Sequence, residues 1–319
     1  MEDFLTKKMT YNLDFKGKGG DFFGIIIVNW LLTIVTLGLY YPWAKAKTLQ
    51  FLFGQTTLNE DAFAFHGTGK EMFKGFIKAI LLFICFGVIF GIFIYLNMPI
   101  VGLLFFYAGL IAIMPIAIHG SYRYRTSRTS WRGIRFGYRG DRKEFIGLFF
   151  KWIFFTVITL GIYGPWMIIN LRNYIISNIR FGDARLDYEG DGGDYFIMNI
   201  KGYFLSLFTL GIYMFWWQKD IFNYYVDHLS MHKDDKQIGF SSTATGVDFA
   251  GLFITNFLLL ICTLGLGYAW MVTRTIKFMC DHIELEGNID LDTLHQTEAN
   301  FKDATGDDIS DFLDLDFIV

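Results

Sequence analysis

Residues 36–43 read Thr-Leu-Gly-Leu-Tyr-Tyr-Pro-Trp, and the phrase returns three times. It stands at 159–166 as Thr-Leu-Gly-Ile-Tyr-Gly-Pro-Trp, at 209–216 as Thr-Leu-Gly-Ile-Tyr-Met-Phe-Trp and at 263–270 as Thr-Leu-Gly-Leu-Gly-Tyr-Ala-Trp. Four positions hold in every copy: Thr36, Leu37, Gly38 and Trp43; Thr159, Leu160, Gly161 and Trp166; Thr209, Leu210, Gly211 and Trp216; Thr263, Leu264, Gly265 and Trp270. The copies lie 123, 50 and 54 residues apart, so the wide gap leaves room for one divergent unit. Four copies at one offset are an internal repeat, and a repeat sets the architecture.

Each copy closes an apolar run. Five stretches carry no Asp, Glu, Lys or Arg: 22–44, 79–122, 152–171, 202–218 and 249–273. The second is twice too long for one helix and contains Asn97-Met98-Pro99, a turn signal that splits it in two. Gly breaks each helix, and Pro42 and Pro165 sit where a new helix begins. After each Trp comes a helix bearing basic residues, then a short segment ending in Gly with strand character: 62–67, 131–140, 179–182, 238–240 and 283–287.

Composition agrees with a membrane protein. Of 319 residues, 53% are hydrophobic and 18% charged, and the net charge of −3 excludes a nucleic-acid binder held by bulk basic charge. The polar first twenty residues make no cleavable signal peptide. Three cysteines without CxxC spacing give neither a disulfide framework nor a zinc site.

Two topologies compete. Six single spans would alternate the loops between the two sides of the bilayer. Five helical hairpins would place every strand segment on one side. The uncharged tips, and basic residues recurring after all four Trp, favour hairpins. The expected fold is therefore an all-α polytopic membrane protein with internal repeats (about five hairpins), plus short β-strands forming a small sheet on the cytoplasmic side. Its parts are a polar N-terminal segment at 1–21, a transmembrane domain at 22–287, and an acidic tail at 288–319. The repeat units fall near 22–70, 76–140, 145–193, 195–246 and 248–287.

Ionisable groups at membrane depth mark ligand pathways or snorkel to the headgroups. Lys45, Lys47, Arg172, Lys219, Asp220, Arg274 and Lys277 on the second helices are the candidates; facing a common axis, they would suit an anion. Residues 121–143 hold eight basic groups against Asp141. Among them Arg123, Arg125, Arg128, Arg132 and Arg135 are candidates for anionic headgroups, the bland reading being a topology signal. From Glu284 to Asp316 eleven acids face Lys302 alone. That segment reads as a mobile tail past Gly287, fit to recruit a cytoplasmic partner. Asp227-His228 and Asp281-His282 recur at one repeat position, matched by Gln55 and Asn178. A shared helix C-cap explains them better than a metal. No catalytic motif is present, and no metal or cofactor is expected.

The phrase at 36–43, Asn29-Trp30-Leu31-Leu32-Thr33 before it, and the Phe-x-Gly strand ends resemble the bacterial YjgN-type inner-membrane family, whose domain has no known function. The resemblance runs to about Gly287, with Phe215 and Ala269 replacing the Pro of the last two tips. It implies a multi-pass protein of the bacterial inner membrane, and it carries no catalytic residue across. Both termini are expected in the cytoplasm. The expected function is a channel, transporter or lipid-handling protein for an anionic ligand. The alternatives are a membrane scaffold working through its strands and tail, and a membrane-embedded enzyme. The expected partners are the bilayer and its anionic lipids, with no nucleic acid.

Overall fold

The computed structural model describes residues 9–297. Its elements come in five β-α-α-β groups. The first is β1 (Met9–Phe15), α1 (Gly19–Val35), α2 (Tyr41–Gln55) and β2 (Thr56–Leu58). The second is β3 (Asp61–Phe65), α3 (Gly69–Tyr95), α4 (Pro99–Arg128) and β4 (Thr129–Trp131). The third is β5 (Ile134–Tyr138), α5 (Arg142–Ile158), α6 (Gly164–Ser177) and β6 (Ile179–Phe181). The fourth is β7 (Ala184–Tyr188), α7 (Gly192–Phe208), α8 (Met214–Asp227) and β8 (Leu229–Lys233). The fifth is β9 (Lys236–Ser242), α9 (Gly246–Cys262), α10 (Tyr268–Asp281) and β10 (Ile283–Gly287).

The ten strands form one closed antiparallel barrel in the order β1-β10-β9-β8-β7-β6-β5-β4-β3-β2. This overturns the all-α expectation with its small sheet. Within each group the two strands pair with each other, and successive groups join through two-residue turns such as Asn59-Glu60 and Arg132-Gly133. All four of those turn residues have positive φ, the geometry that matches strand twist in a tight hairpin. The antiparallel alternation then puts every helical hairpin on one rim of the barrel and every two-residue turn on the other. Closure leaves no strand edge among the described residues.

Inward positions fill the barrel. Tyr11, Leu58, Trp131, Phe181, Met231, Ile238 and Leu285 form one buried cluster. Its far end is stoppered by the segment after β10, whose Ile289, Leu291 and Leu294 belong to the same cluster. The expected mobile tail is thus corrected for residues 288–297: apolar side chains spaced between the acids give them a core to enter. The remaining acids, 298–319, lie outside the described residues.

Around the helical rim, α1 packs on α10 and α2, and each neighbour on the next, to complete a ring of ten helices. Among the described residues only α3, with 27 residues, and α4, with 30, are long and apolar enough to cross a bilayer. The other helices have 14 to 17 residues, and at 1.5 Å per residue the longest reach only about 25 Å against a hydrocarbon core of about 30 Å. The charge-free runs overstate these helices because each run includes its tip and part of the returning helix.

Candidate functional site

The tips show why Thr-Leu-Gly recurs. In the first, Gly38 N–H donates to Thr33 O at 2.7 Å, closing the helix end, with Leu37 and Gly38 both at positive φ. Thr36 Oγ1 donates to Leu32 O at 2.7 Å and accepts from Tyr40 N–H at 2.9 Å, so one hydroxyl ties the outgoing helix to the returning one. Thr159, Thr209 and Thr263 do the same. The residue between Thr and Gly is then thrust outward: Leu37, Leu160, Leu210 and Leu264 are each at least 93% exposed.

The Trp of each phrase packs tightly on the next group of the ring. A β-carbon added at Gly69 would lie 2.3 Å from Trp43, one at Gly192 2.2 Å from Trp166, and one at Gly246 2.4 Å from Trp216. At Gly19 it would lie 2.3 Å from Trp270, which closes the ring. Each Trp therefore locks onto the first residue of the next group's helix, where only Gly fits.

At the other end of the second helices, the caps share one device. Thr56, Thr129, Asn178, His228 and His282 each bond through the side chain to the carbonyl four residues earlier, at 2.7 to 2.9 Å. The first group's cap is Thr56, one residue beyond the Gln55 that the spacing suggested. Among the described residues no group of His, Cys, Asp or Glu is placed to hold a metal.

Where these caps meet the barrel mouth lies a cavity of about 570 Å³. Its walls come from both layers. Leu13, Phe63, Phe136 and Leu186 point up from the strands, while Leu52, Phe53 and Ile276 close it from the helices. The four strand residues are only partly buried, although they pack on the barrel core, because they border this space. Among the described residues Arg125 of α4 brings the one charged side chain to the lining, beside Thr126 and Thr129.

The seven second-helix candidates do not line this cavity. Lys47 lies over the Tyr40 ring at 5.7 Å, Lys45 is half-buried on the same helix, and Lys219 pairs with Asp220 at 2.5 Å. Arg172 is stacked on Tyr225 at 3.7 Å, with Tyr188 at 5.4 Å. Arg274 and Lys277 share a separate surface pocket with Asp248 and Asp281, Lys277 standing 3.1 Å from Asp281 and 3.3 Å from Asp14. These residues are thus spread over separate surroundings and are not gathered at the chamber.

The five headgroup candidates are also dispersed. Arg123 and Arg125 are half-buried on α4. Arg128 grips Glu71 through two hydrogen bonds of 2.9 and 3.2 Å. Arg132 sits in the β4–β5 turn on the rim away from the hairpins, bonded to Asp61 at 2.5 Å and to Asp292 of the stopper. Arg135, on β5, uses its backbone N–H to hold Gln296 at 2.6 Å. Sequence reasoning missed the strand residues that wall the chamber. Their signal was an inward alternation, Tyr11-x-Leu13 and Ile134-x-Phe136, too short to stand out.

Fold and site together define a class: a plugged ten-stranded barrel, one rim of which carries a ring of helical hairpins with exposed apolar tips. The chain belongs to the family described as "Bacterial protein of unknown function (DUF898)", whose model matches residues 10–189 and 217–312. It is similar to the inner membrane protein YjgN of Salmonella typhimurium strain LT2, at 37% identity over 141 residues, which cover 44% of this chain and 34% of that one. The protein of the same name from Escherichia coli K12 is 32% identical over 136 residues, covering 43% of this chain and 33% of the relative. The match thus spans about a third of the length of these curated relatives. No solved structure matches the chain. The family places the protein in the bacterial inner membrane.

Proposed function

We propose that the protein is a lipid-handling component of the inner membrane that holds an acyl chain of an anionic lipid in the barrel-mouth chamber. The carrying observation is the chamber itself: about 570 Å³, walled by apolar side chains from five strands and three helices, with Arg125 at its edge. Its volume falls within the range of small-molecule sites. A long tail fits its apolar wall, and the guanidinium suits a phosphate headgroup.

The filled barrel and its stopper speak against a conduit along the axis. The closed barrel speaks against a scaffold that recruits partners by strand addition, since that mode needs an open edge. The reading assigns binding and no chemistry. In it the α3–α4 hairpin crosses the bilayer, the four shorter hairpins enter part way, and the barrel lies on the cytoplasmic side with the chain termini.

The test is lipid extraction and native mass spectrometry of the protein purified in mild detergent. The wild type should retain about one phospholipid enriched in phosphatidylglycerol. Leu186→Trp, which fills the chamber, should empty it, and Arg125→Gln should weaken the preference for anionic headgroups. Absence of lipid from the wild type, or equal retention by Leu186→Trp, would sink the proposal.

A further inference from the structure

The barrel-mouth chamber has a floor. On three strands a lining residue stands one inward step above a residue of the sealed barrel core: Leu13 above Tyr11 on β1, Thr129 above Trp131 on β4, and Ile179 above Phe181 on β6. Residues two apart on a strand share a face, so each pair looks into the barrel at two successive levels. Trp131 is fully buried and Phe181 is 3% exposed. The polar atoms of the floor are spent elsewhere: Trp131 Nε1 donates to Asp61 O at 3.0 Å, and the Tyr11 hydroxyl bonds Ile289 O. Phe136 joins wall to floor. It lines the space, and its ring lies face to face with that of Phe181, centroids 4.4 Å apart and planes within 7°.

The wall is as dry as the floor. Its three threonines give their hydroxyl protons to carbonyls four residues earlier: Thr56 to Leu52 O at 2.9 Å, Thr126 to Tyr122 O at 2.7 Å and Thr129 to Arg125 O at 2.8 Å. The other polar side chains of the lining, Tyr122 and Arg125, lie within one turn of α4. An occupant that suits these walls is hydrocarbon along its length and polar at one end, with that end at α4. A methylene takes much the same room as a water molecule in the liquid, about 30 Å³. A space of about 570 Å³ then holds roughly 19 of them, which is one long chain and not two.

We propose that the chamber is a length gauge for a single acyl chain of roughly 16 to 20 carbons, its methyl end resting on Trp131 and Phe181, with Phe136 setting the depth. This rests on the reading of the chamber as an acyl-chain site and names the chain it takes. Each buried methylene is worth about fourfold in affinity. A chain that stops short of the floor forfeits that factor for every missing carbon. A chain that overruns meets close-packed rings that do not give way, so it must buckle or draw its polar end off α4.

The experiment incubates the full-length chain in mild detergent with an equimolar mixture of lysophosphatidylglycerols of roughly 12 to 22 carbons, and native mass spectrometry counts the bound species. These lipids carry a single chain, so the length read is the length held. The wild type should bind one molecule, with occupancy greatest at roughly 16 to 20 carbons. Phe136→Ala opens a space on the order of 100 Å³ and should move that maximum up by about two to four carbons. Leu13→Phe fills part of the chamber and should move it down. Thermal unfolding is followed for each variant, and Phe136→Leu, with a smaller upward shift, replaces Phe136→Ala if the latter does not fold. A maximum that neither variant moves, or that moves in the opposite sense, overturns the gauge while the chamber remains a lipid site. So do two molecules bound per chain. No lysolipid on the wild type, or equal binding by Leu186→Trp, defeats the acyl-chain reading itself, so the two failures are told apart.

Discussion

Leucine at positive φ is costly, because its Cβ crowds the following carbonyl by roughly 1–2 kcal/mol. Yet Leu37, Leu160, Leu210 and Leu264 all adopt φ of 50° or 51° and expose their side chains. A residue that strains the backbone and packs on nothing has its use outside the fold, and hydrocarbon is the environment that rewards it. Leu160→Gly should therefore raise the unfolding free energy in detergent by about 1 kcal/mol through relief of strain, while lowering the protein's recovery in flotated membranes. A variant that is both less stable and equally membrane-bound would refute this reading. The Trp–Gly locks behave oppositely. Gly192→Leu drives a side chain into Trp166 and should cost about 2 kcal/mol or more, as overpacking does. Gly24→Ala, with nothing within 4 Å, should leave the melting temperature within a degree or two or raise it. Equal melting of the two variants would show that the lock carries no energy.

Among elements, length decides reach. With 27 and 30 residues, α3 and α4 extend about 40 and 45 Å, more than a bilayer core, whereas the 17-residue α7 falls short of it. In a cysteine-free background, Asn97→Cys at the α3–α4 tip should react with an impermeant maleimide added outside spheroplasts. Leu210→Cys at a short tip should stay unlabelled until detergent is added. Equal labelling of both would show that all hairpins cross. The five C-caps explain how such short helices hand over directly to strands. One side chain satisfies a terminal carbonyl and the ladder begins at that residue or the next, so three-residue strands such as β2, β4 and β6 suffice when both neighbours in a closed barrel pair with them.

On the scale of the molecule, the stopper joins the two chain ends of the barrel. Tyr11 hydroxyl bonds Ile289 O, Arg132 reaches Asp292, and Lys233 Nζ donates to Thr293 O at 2.5 Å. Asp183 anchors it: burial raises the carboxyl's pKa, but Lys233 and the His295 N–H at 3.1 Å outweigh burial and hold it below the ordinary value. A carboxylate depressed in the folded state contributes stability that is complete above its unfolded pKa of about 4 and disappears as pH falls through the lowered value. Hydrogen exchange at residues 288–297 should therefore accelerate relative to β8 and β9 as pH falls below about 4, and Lys233→Met should abolish much of that pH dependence. Exchange that stays flat with pH in the wild type would remove Asp183 from the clamp.

The sequence by itself determined the local grammar. Thr bridges and Gly closes each tip because hydrogen-bond geometry within eight residues leaves few options, and a polar residue at the cap position can be read for the same reason. The apolar runs pointed to a membrane, and the family resemblance carried by the repeated phrase implied the bacterial inner one. Only the tertiary structure decided that the strand segments number ten and close on themselves. Strands of three residues show no alternation of their own, and β1 and β10 stand 268 residues apart at their near ends yet pair from Met9–Gly287 to Asn12–Glu284. It also decided where the charges face. Whether Lys45 or Arg172 looks to an axis, to lipid or to a neighbouring ring depends on the crossing of helices from different groups, which no spacing within one helix encodes.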